Sequence, residues 1–433
     1  MTAGSRAVHP TTAGRSASAP SAPASAGRAW VVTELYHPEE TSTGYLLTRI
    51  AEGLATDGLA VRVLCGQPTY SARGRRAPRT ETRHGVRIER CAGTTFDKDF
   101  LPGRLLNLLT ISASVFARAL ARFRRGDAVL VVTNPPLLPY LTLLACRVRG
   151  ARCVLLVHDV YPEAMTAAGM FGPRSVAARV VGAASRTLYR AVDRVVVLGR
   201  DMHDLIAAKL PDAGARLAII PNWADVDEIV PAPRAANALL AAEGLADRFV
   251  VQYAGNMGRT HALECVAAAA RELDADGDVT FLLIGGGAKR AWVEGEIRDG
   301  RLRNVRLLGG RPREDQQNFL NACDVAVISF VAGMAGVSVP SRMYNILAAG
   351  KPIVAMADDE SELARVVREA RVGWVVPPGD AGALATAIRE ARADRNRLRQ
   401  MGARARRVAE ERYAFTHAVA RYRAVMREAL GAP

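Results

Sequence analysis

Short apolar runs alternate along this chain with segments in which apolar residues recur every three or four positions. Runs of this kind are typical of buried strands, and the wider spacing is typical of helices with one face on a core. The runs that predict strands are residues 29–33, 61–65, 129–133, 153–157, 195–198, 217–220, 249–253, 281–284, 305–308, 325–328, 353–355 and 373–376. Because strands that alternate with helices pair in parallel through crossover connections, the pattern predicts an α/β fold.

The alternation pauses near Pro231-Ala232-Pro233 and then resumes, which indicates two doubly wound, Rossmann-like domains that face each other across a cleft. A long helical pattern over residues 380–430 is interrupted near residues 413–416. The predicted division is residues 1–27 as a disordered tail, 28–232 as the N-terminal domain, 233–405 as the C-terminal domain, and 406–433 as a helix that packs back on the N-terminal domain.

The tail is rich in Ser, Ala, Pro and Gly and lacks the apolar stretch of a secretory signal. No run of 18 uninterrupted apolar residues occurs, so a spanning helix is not expected. Residues 101–125, however, combine many apolar residues with five arginines. Two interpretations stay open for them: a helix that lies in a membrane interface, or a core-facing helix with a basic end.

The charge of the chain is high and uneven. Its net charge is +15; residues 1–231, with 29 basic and 19 acidic residues, carry +10 of it. A basic half favours anionic partners such as phosphates or a membrane surface, while arginine-rich coding bias explains it equally well. We find no nucleic-acid-binding signature and expect no nucleic-acid partner.

Seven arginines follow one another closely in a segment that we expect to be a loop. They are Arg73, Arg75, Arg76, Arg79, Arg83, Arg87 and Arg90. Two interpretations apply: a basic loop that meets anionic lipid, or a solvated, mobile loop.

Candidate site residues of the N-terminal half follow its strands. Gly44 lies where a Thr-, Ser- and Gly-rich loop enters a helix, a position at which free backbone N–H groups favour an anion. His158 ends a buried strand, and two interpretations stay open: it points into the cleft and donates to a phosphate or a sugar hydroxyl, or it is a satisfied structural histidine. Asp159 is either its partner or a separate ligand, and Tyr161 and Glu163 follow as candidate acceptor-binding residues.

The C-terminal half repeats this design after its first strand. Asn256, Gly258 and Arg259 form a strand-to-helix loop, and His261 is a second donor candidate. An arginine at a helix start suits a diphosphate by its charge and by its donor geometry. The alternative is a capped loop with a solvated arginine.

Two further strand exits are glycine loops, one with Gly285 and Gly286 and the other ending at Arg311. The first is not a dinucleotide fingerprint, because Arg290 stands at the place of the last glycine. We expect these loops to let a base or a ribose lie against the backbone.

A helix start near Pro340 gives the most specific pattern. Ser338, Ser341, Arg342 and Asn345 recur on one helical face, with apolar residues opposite. We interpret this face as a grip for a phosphate and a ribose, since helix capping explains one serine but not Arg342 and Asn345 together.

Other reaction classes fit poorly. The D-x-D pairs at 225–227 and 274–276 lie in loop or helix-start positions, and no metal site is expected. Serine-hydrolase and P-loop motifs are absent from the sequence. The six cysteines are far apart and lack zinc spacing, which predicts free thiols in a reducing cytoplasm.

Five segments together resemble a known family. They read HDVYPE, IIPNWADVDEI, YAGNMGRTHALE, NVRLLGGRPRED and GVSVPSRMYNILAAGKPIVA. The chain is similar over residues 28–413 to the retaining glycosyltransferases of the two-domain GT-B type, and in particular to the colanic-acid and O-antigen enzymes of the WbuB and WcaI type.

The resemblance implies that a sugar leaves a nucleoside diphosphate, expected to be UDP, with retained anomeric configuration and without metal or cofactor. It places Gly44 at the diphosphate, His158 beside the transferred sugar, and Arg259 at the leaving group with Ser341 and Arg342 nearby. The donors Arg259 and Arg342 would stabilise the charge that builds on the phosphate oxygens.

The chain departs from the broad family at four positions. Asn345 and Val337 stand at or near the places of the two glutamates of the E-x7-E motif, and Asn256 and His261 at those of the phosphate-binding Arg and Lys. A nucleotide-sugar epimerase and a non-catalytic GT-B scaffold therefore stay open as alternatives.

The implied acceptor is a glycan or a polyprenyl-linked sugar in cell-surface polysaccharide synthesis. It fits the basic first half and the helix at 101–125, and it predicts a cytoplasmic protein at the inner face of the plasma membrane.

Overall fold

The computed structural model describes residues 27–69, 76–96 and 101–431. The predicted tail thus lies, except for Gly27, outside the described residues, as do Arg73 and Arg75 of the basic segment. Within the described ranges the chain forms two sheets, each with helices packed on it, which confirms the predicted α/β class.

The N-terminal domain is built on an eight-stranded sheet. Its strands are β1 (Ala29–Val32), β2 (Val61–Cys65), β3 (Thr80–Arg83), β4 (Val86–Arg90), β5 (Ala128–Val132), β6 (Arg152–Leu156), β7 (Arg194–Val197) and β8 (Leu217–Ile219). Their order across the sheet is β3-β4-β2-β1-β5-β6-β7-β8, and only β3 runs antiparallel to its neighbour. The central strands β1 and β5 are buried along their whole length, as in a sheet covered on both faces.

Six helices connect these strands. They are α1 (Ser42–Thr56), α2 (Leu101–Arg122), α3 (Leu138–Arg149), α4 (Glu163–Ala167), α5 (Val176–Ala191) and α6 (Arg200–Lys209). The caps show why two of them start where they do: the hydroxyls of Thr41 and Ser175 accept from backbone N–H groups of α1 and α5.

The C-terminal domain has a six-stranded, wholly parallel sheet in the order β11-β10-β9-β12-β13-β14. Its strands are β9 (Phe249–Ala254), β10 (Val279–Ile284), β11 (Val305–Leu308), β12 (Val325–Ser329), β13 (Ile353–Met356) and β14 (Gly373–Val376). The helices that follow α6 are α7 (Ala238–Ala242), α8 (Leu263–Glu272), α9 (Arg290–Arg298), α10 (Gln316–Asn321), α11 (Arg342–Ala348), α12 (Glu362–Ala370), α13 (Ala381–Ala393), α14 (Arg395–Tyr413) and α15 (Phe415–Leu430).

All twelve predicted strands are present, but the hairpin of β3 and β4 was not predicted. The expectation of a loop is wrong over this hairpin, which extends the edge of the sheet. Arg83 binds Glu52 at 3.1 Å, and the buried Arg90 binds Glu81 at 2.5 Å. Arg90 is therefore unavailable to a lipid, whereas Arg79 and Arg87 stay exposed.

The chain returns from the C-terminal to the N-terminal domain at Ala414. The helix α14 packs on α11 and runs unbroken to Tyr413, so the division drawn between residues 405 and 406 falls inside it. The next helix, α15, packs against α1, β5 and β6. At the crossing, the N–H of Ala224 donates to the carbonyl of Tyr413 at 2.7 Å, and Ala224 and Ala414 form an isolated β-bridge.

Helix α2 combines features of both interpretations of residues 101–125. Ile111, Val115 and Ala119, spaced by four residues, are buried in the core. Leu105 is nevertheless 53% exposed and Leu109 46%. In the described part of the chain it is the one helix that is long and apolar enough to cross a membrane, by length and composition only.

Candidate active site

The carboxyl ends of the two sheets face each other and are joined by direct contacts. Directly after β6, the N–H of Val160 donates to the carbonyl of Val337 at 3.0 Å, and Asp159 forms a β-bridge with Ser338. At the start of α1, the hydroxyl of Ser42 lies 2.8 Å from that of Ser341. The loops that carry the predicted residues thus meet in one interdomain cleft, at the sheet edge where α/β proteins bind ligands.

His158 is held in the cleft as a buried, neutral imidazole. The backbone N–H of His158 donates to the Thr133 hydroxyl at 3.1 Å, and its Nδ1 lies 3.5 Å from the Thr43 hydroxyl. Burial lowers the pKa of His158 to about 4. Its Nε2 is buried without a hydrogen-bond partner, so this nitrogen is available for a ligand.

Asp159 serves the contact between the domains rather than His158. Its carboxylate is hydrogen-bonded to Ser338, and burial raises the pKa of Asp159 despite that bond. Glu163 is also engaged, since it accepts from Lys209 Nζ at 2.6 Å. Tyr161 lies between them in the segment that leads to α4 and is only partly exposed.

Gly44 is a packing residue of α1 in this structure. Its N–H donates to the Thr41 hydroxyl at 3.2 Å and so is not free for an anion. A Cβ atom on Gly44 would lie 2.8 Å from the carbonyl oxygen of Glu39, which explains why a glycine is needed. The helix cap thus engages the Gly44 N–H, and the contact of Gly44 with a diphosphate stays a prediction.

The loop after β9 lies directly against the loop after β10. A Cβ on Gly285 would lie 2.0 Å from the Gly255 carbonyl oxygen, so glycine permits this approach. Gly286 is open to solvent, and a Cβ atom there would meet no atom within 4 Å. Asn256 and Arg259 are exposed, and Arg259 makes no hydrogen bond or ion pair with any residue that the structure describes.

Arg342 reaches under this loop and is left with an unsatisfied donor. Its guanidinium carbon lies 4.5 Å from the centre of the Tyr253 ring, and its Nη1 is 3.4 Å from the Ala254 carbonyl oxygen. Its Nη2 is buried without an acceptor. A buried guanidinium nitrogen without a partner is costly, and an anion in the cleft would satisfy it.

His261 lies beside Arg342 and is also neutral. Burial, together with the positive charges of Arg342 and Lys289, lowers the pKa of His261 to about 3. Its Nδ1 is buried without a partner, and Gly258, whose carbonyl accepts from the His261 N–H, leaves space near this nitrogen. His261 can therefore offer a hydrogen bond but no charge.

Asn345, which we predicted on one binding face with Arg342, is engaged at the contact between the domains. Its Oδ1 accepts from the Asp225 N–H at 2.9 Å, and its Nδ2 lies 3.2 Å from both Asp225 Oδ2 and Gln316 Oε1. The amide thus binds Asp225 of the other domain through its oxygen and its nitrogen, and Gln316 of its own domain through its nitrogen. Arg342, one turn earlier, points instead to the loop after β9.

Arg311 is likewise engaged, because it forms an ion pair with Asp315. The cation that sequence reasoning missed is Arg313, two residues later. Its guanidinium carbon lies 3.6 Å from the centre of the Tyr45 ring, across the cleft, and its Nε is buried without an acceptor. The sequence signal was the second arginine of GGRPRED, two residues after Arg311, the arginine that we predicted as a site residue.

The arrangement presents unsatisfied donors at a cleft between two domains. Arg342, Arg313 and the two neutral histidines each keep one buried nitrogen without a partner, and the exposed Arg259 adds a further cation. Arg313 also lies 3.9 Å from the Asp225 carboxylate. This chemistry suits a polyanion such as a diphosphate. In the described ranges no group of three His, Cys, Asp or Glu side chains is placed to hold a metal ion.

Comparison with known families agrees with this architecture. Residues 43–223 match the family model of the glycosyl transferase 4-like domain, and residues 248–394 match that of the glycosyl transferases group 1. The chain is 37% identical over 270 residues to glycosyltransferase WbjE of Pseudomonas aeruginosa, a match that covers 62% of this chain and 67% of the relative.

A second relative spans more of the chain. The colanic acid biosynthesis glycosyl transferase WcaI of Escherichia coli K12 is 28% identical over 368 residues, which cover 82% of this chain and 90% of WcaI.

Solved structures of the same architecture align over nearly the whole chain. Sucrose-phosphate synthase of Thermosynechococcus elongatus superposes with a TM-score of 0.76 at 18% identity, covering 93% of this chain and 99% of the synthase. HepE of Anabaena, solved in complex with UDP and glucose, gives 0.71 at 16% identity and covers 92% of this chain and 99% of HepE. With its two family matches and its two facing α/β domains, the chain belongs to the GT-B glycosyltransferases.

Proposed function

We propose that this glycosyltransferase moves a hexosyl group from a UDP-sugar, with retention of anomeric configuration, to a glycan or a polyprenyl-linked acceptor of cell-surface polysaccharide synthesis. The observation that carries the proposal is the buried, unsatisfied Nη2 of Arg342 beside the loop after β9. A pyrophosphate oxygen is the acceptor that this donor lacks.

The cations act on the leaving group. As the sugar–oxygen bond breaks, negative charge builds on the pyrophosphate, and Arg342 and Arg259 stabilise it more than they stabilise the bound substrate. His158, being neutral, offers its Nε2 to the sugar or to a phosphate oxygen. No metal or cofactor takes part in the proposed reaction.

Retention follows if the departing phosphate itself accepts the proton of the acceptor hydroxyl on the same face of the sugar. The Nε2 of His158 can then only donate or accept a hydrogen bond, since an imidazole with a pKa of about 4 carries no spare proton near pH 7. The anomeric configuration of the product is the readout for this step.

Two relatives support the choice of donor and acceptor. HepE, of the same fold, was solved with UDP, with UDP-glucose, and with UDP and glucose, and WcaI is named for colanic acid biosynthesis. The complexes of HepE support a UDP-sugar as the donor, and the name of WcaI supports a surface-polysaccharide intermediate as the acceptor.

Membrane contact at the inner face of the plasma membrane forms part of the same proposal, which makes the protein cytoplasmic and peripheral. Leu105, Leu106 and Leu109 of α2 are exposed. Leu144 and Val148 of α3, the helix packed against α2, are exposed as well. Arg147 and Arg149 of α3 supply positive charge beside these apolar side chains. Apolar and basic groups on one surface favour binding to anionic lipid.

The test of function has two stages. Isothermal titration should give saturable binding of UDP to the wild-type chain. Incubation with UDP-hexoses and polyprenyl-linked acceptors should give a glycosylated product, whose anomer is read by NMR. Binding of UDP without turnover of any donor would indicate a non-catalytic scaffold. Interconversion of free UDP-sugar without acceptor would identify an epimerase.

The membrane part is tested separately by sedimentation with vesicles that contain anionic lipid at low salt. A variant with Leu105→Gln, Leu106→Gln and Leu109→Gln should pellet much less than the wild type. Equal pelleting of both would remove α2 from the proposal, and no pelleting of the wild type would end the membrane contact.

A further inference from the structure

A second cavity, separate from the cleft, lies in the N-terminal domain between α1, the turn of the β3–β4 hairpin and the start of α15. Its volume is about 400 Å³, within the range of small-molecule sites. Arg49 and Glu52 line it from α1, Phe415 and Arg423 line it from α15, and His84 lines it from the hairpin turn.

The shape of this cavity follows from one glycine. Arg49, Glu52 and Gly53 lie on one face of α1 because they are three and four residues apart. A Cβ on Gly53 would lie 2.7 Å from a methyl carbon of Val419, so α15 touches α1 at this point. The cavity lies beside this contact and is bordered by the turn at His84.

The charges that line the cavity leave one cation unpaired. Glu52 accepts from Arg83 at 3.1 Å, and Asp57 lies 3.1 Å from Arg423, so both carboxylates are engaged. The guanidinium of Arg49 lies 4.5 Å from the centre of the Phe415 ring. Within the described ranges it has no hydrogen bond or ion pair, and its Nε is buried without an acceptor.

We propose that this cavity binds a small organic anion whose carboxylate or phosphate accepts hydrogen bonds from Arg49. The body of the ligand would contact the Phe415 ring on its apolar side and the hydroxyls of Thr56 and Thr416 on its polar side. A hydroxylated anion of the size of a sugar acid or a sugar phosphate matches this lining and this volume.

The position of the cavity connects it to the contacts between the domains. The Phe415 ring packs 5.0 Å from that of Trp223, and the indole nitrogen of Trp223 is 3.2 Å from Asp225 Oδ1. Asp225 is the partner of Asn345. An anion on Arg49 therefore rests on a side chain that also supports the crossing of the chain between the domains.

The experiment titrates the full chain calorimetrically with glucose 1-phosphate, glucuronate and, as the neutral control, glucose. Each titration is repeated with UDP in excess, so that the interdomain cleft is occupied. We expect saturable binding of at least one anion, none of glucose, and no competition by UDP. The tighter of the two anions identifies the preferred acid group.

Two variants locate the binding. Arg49→Gln should weaken it by about tenfold or more, because a charge-assisted hydrogen bond is lost. Ala420→Phe places a ring at the exposed mouth of the cavity and should abolish the binding without altering the core. Arg298→Gln, an exposed arginine at the end of α9, is the matched control and should leave anion binding unchanged.

The outcomes separate this proposal from the proposed function. Binding that survives both Arg49→Gln and Ala420→Phe, binding that UDP displaces, or no binding of either anion to the wild type would overturn the cavity site. Circular dichroism verifies that the Arg49→Gln variant is folded like the wild type. Loss of UDP binding or of sugar transfer alone would affect only the proposed function.

Discussion

The N-terminal half of the sequence carries the larger net positive charge, but the cations that face the cleft lie on its C-terminal wall. Residues 1–231 carry the larger net charge, yet the N-terminal wall presents Ser42, Thr43 and the neutral His158. Arg342 and Arg313, which each keep one buried guanidinium nitrogen without an acceptor, belong to the C-terminal domain. A charge count thus indicates that anions are bound, while only the fold shows where.

This difference divides the work of the site between the walls. The C-terminal wall holds cations that are ready for a diphosphate, and the N-terminal wall offers uncharged hydrogen-bonding groups suited to a sugar. Many N-terminal arginines have other partners or face solvent: Arg90 is buried in an ion pair with Glu81, and Arg87 is exposed on β4.

The largest expected effect comes from the C-terminal wall. Arg342→Gln removes the buried charge and should lower kcat by about a hundredfold to a thousandfold, the size typical of one lost transition-state donor. Steady-state kinetics with the preferred UDP-sugar measures it. Arg298→Gln, an exposed arginine at the end of α9, is the control and should keep full activity. A kcat within threefold of the wild type would remove Arg342 from the leaving-group site.

Arg259 should contribute less, because it is exposed and partly screened by water. Arg259→Ala is expected to lower turnover by roughly a hundredfold, which is the lower end of the same range. If Arg259→Ala proved more damaging than Arg342→Gln, the order of the two cations in this comparison would be reversed.

The neutral histidines predict a pH dependence of stability. Their folded-state pKa values, about 4 for His158 and about 3 for His261, lie below the ordinary 6.5, so the unfolded chain binds their protons first. Their contribution is fully present above pH 6.5 and is lost as the pH falls towards 4. His158 alone should account for about 3 kcal/mol over this range.

Denaturant unfolding between pH 7 and pH 4 measures this change. His158→Gln should flatten the decline in the free energy of unfolding, while substitution of the exposed His417 should not. The same low pKa predicts that kcat shows no ionisation of His158 between pH 6 and pH 8. An inflection in that range that disappears in His158→Gln would contradict a neutral imidazole.

The smallest effect is expected at the contact between the walls. Asn345→Ala leaves the Asp225 N–H and carboxylate without their amide partner and should cost about 1–2 kcal/mol of stability. If Asn345→Ala instead changed the KM for UDP-sugar more than it changed kcat, Asn345 would be assigned to the donor site. The melting temperature and the kinetic constants of the same preparation decide between these outcomes.

The sequence predicted the parallel strands because an apolar run buried on both faces is a strong local signal. The β3–β4 hairpin was not predicted, because β3 is an exposed edge strand of sequence TETR without an apolar run. We therefore interpreted its arginine-rich sequence as a basic loop.

The site was predicted less completely than the fold, for a related reason. The helical spacing correctly placed Arg342 and Asn345 one turn apart, but it carries no information on what the other domain presents to each side chain. Asp225 engages Asn345, and Tyr45 lies under Arg313. Both partners come from the opposite domain, more than a hundred residues away in the chain.

The β-bridge between Ala224 and Ala414 ties together the two points at which the backbone passes between the halves. Two strands of backbone fastened side by side act as a pivot: they permit rotation of one half against the other but resist sliding. An opening about this bridge would have to break the contacts of α6 with α12, where the Asp201 carboxylate accepts from the N–H of Glu362 at 2.8 Å and Glu362 accepts from Arg200 at 2.9 Å. It would also break the hydroxyl contact of Ser42 with Ser341 and the backbone hydrogen bond from Val160 to Val337 on the way to admitting a bulky sugar nucleotide.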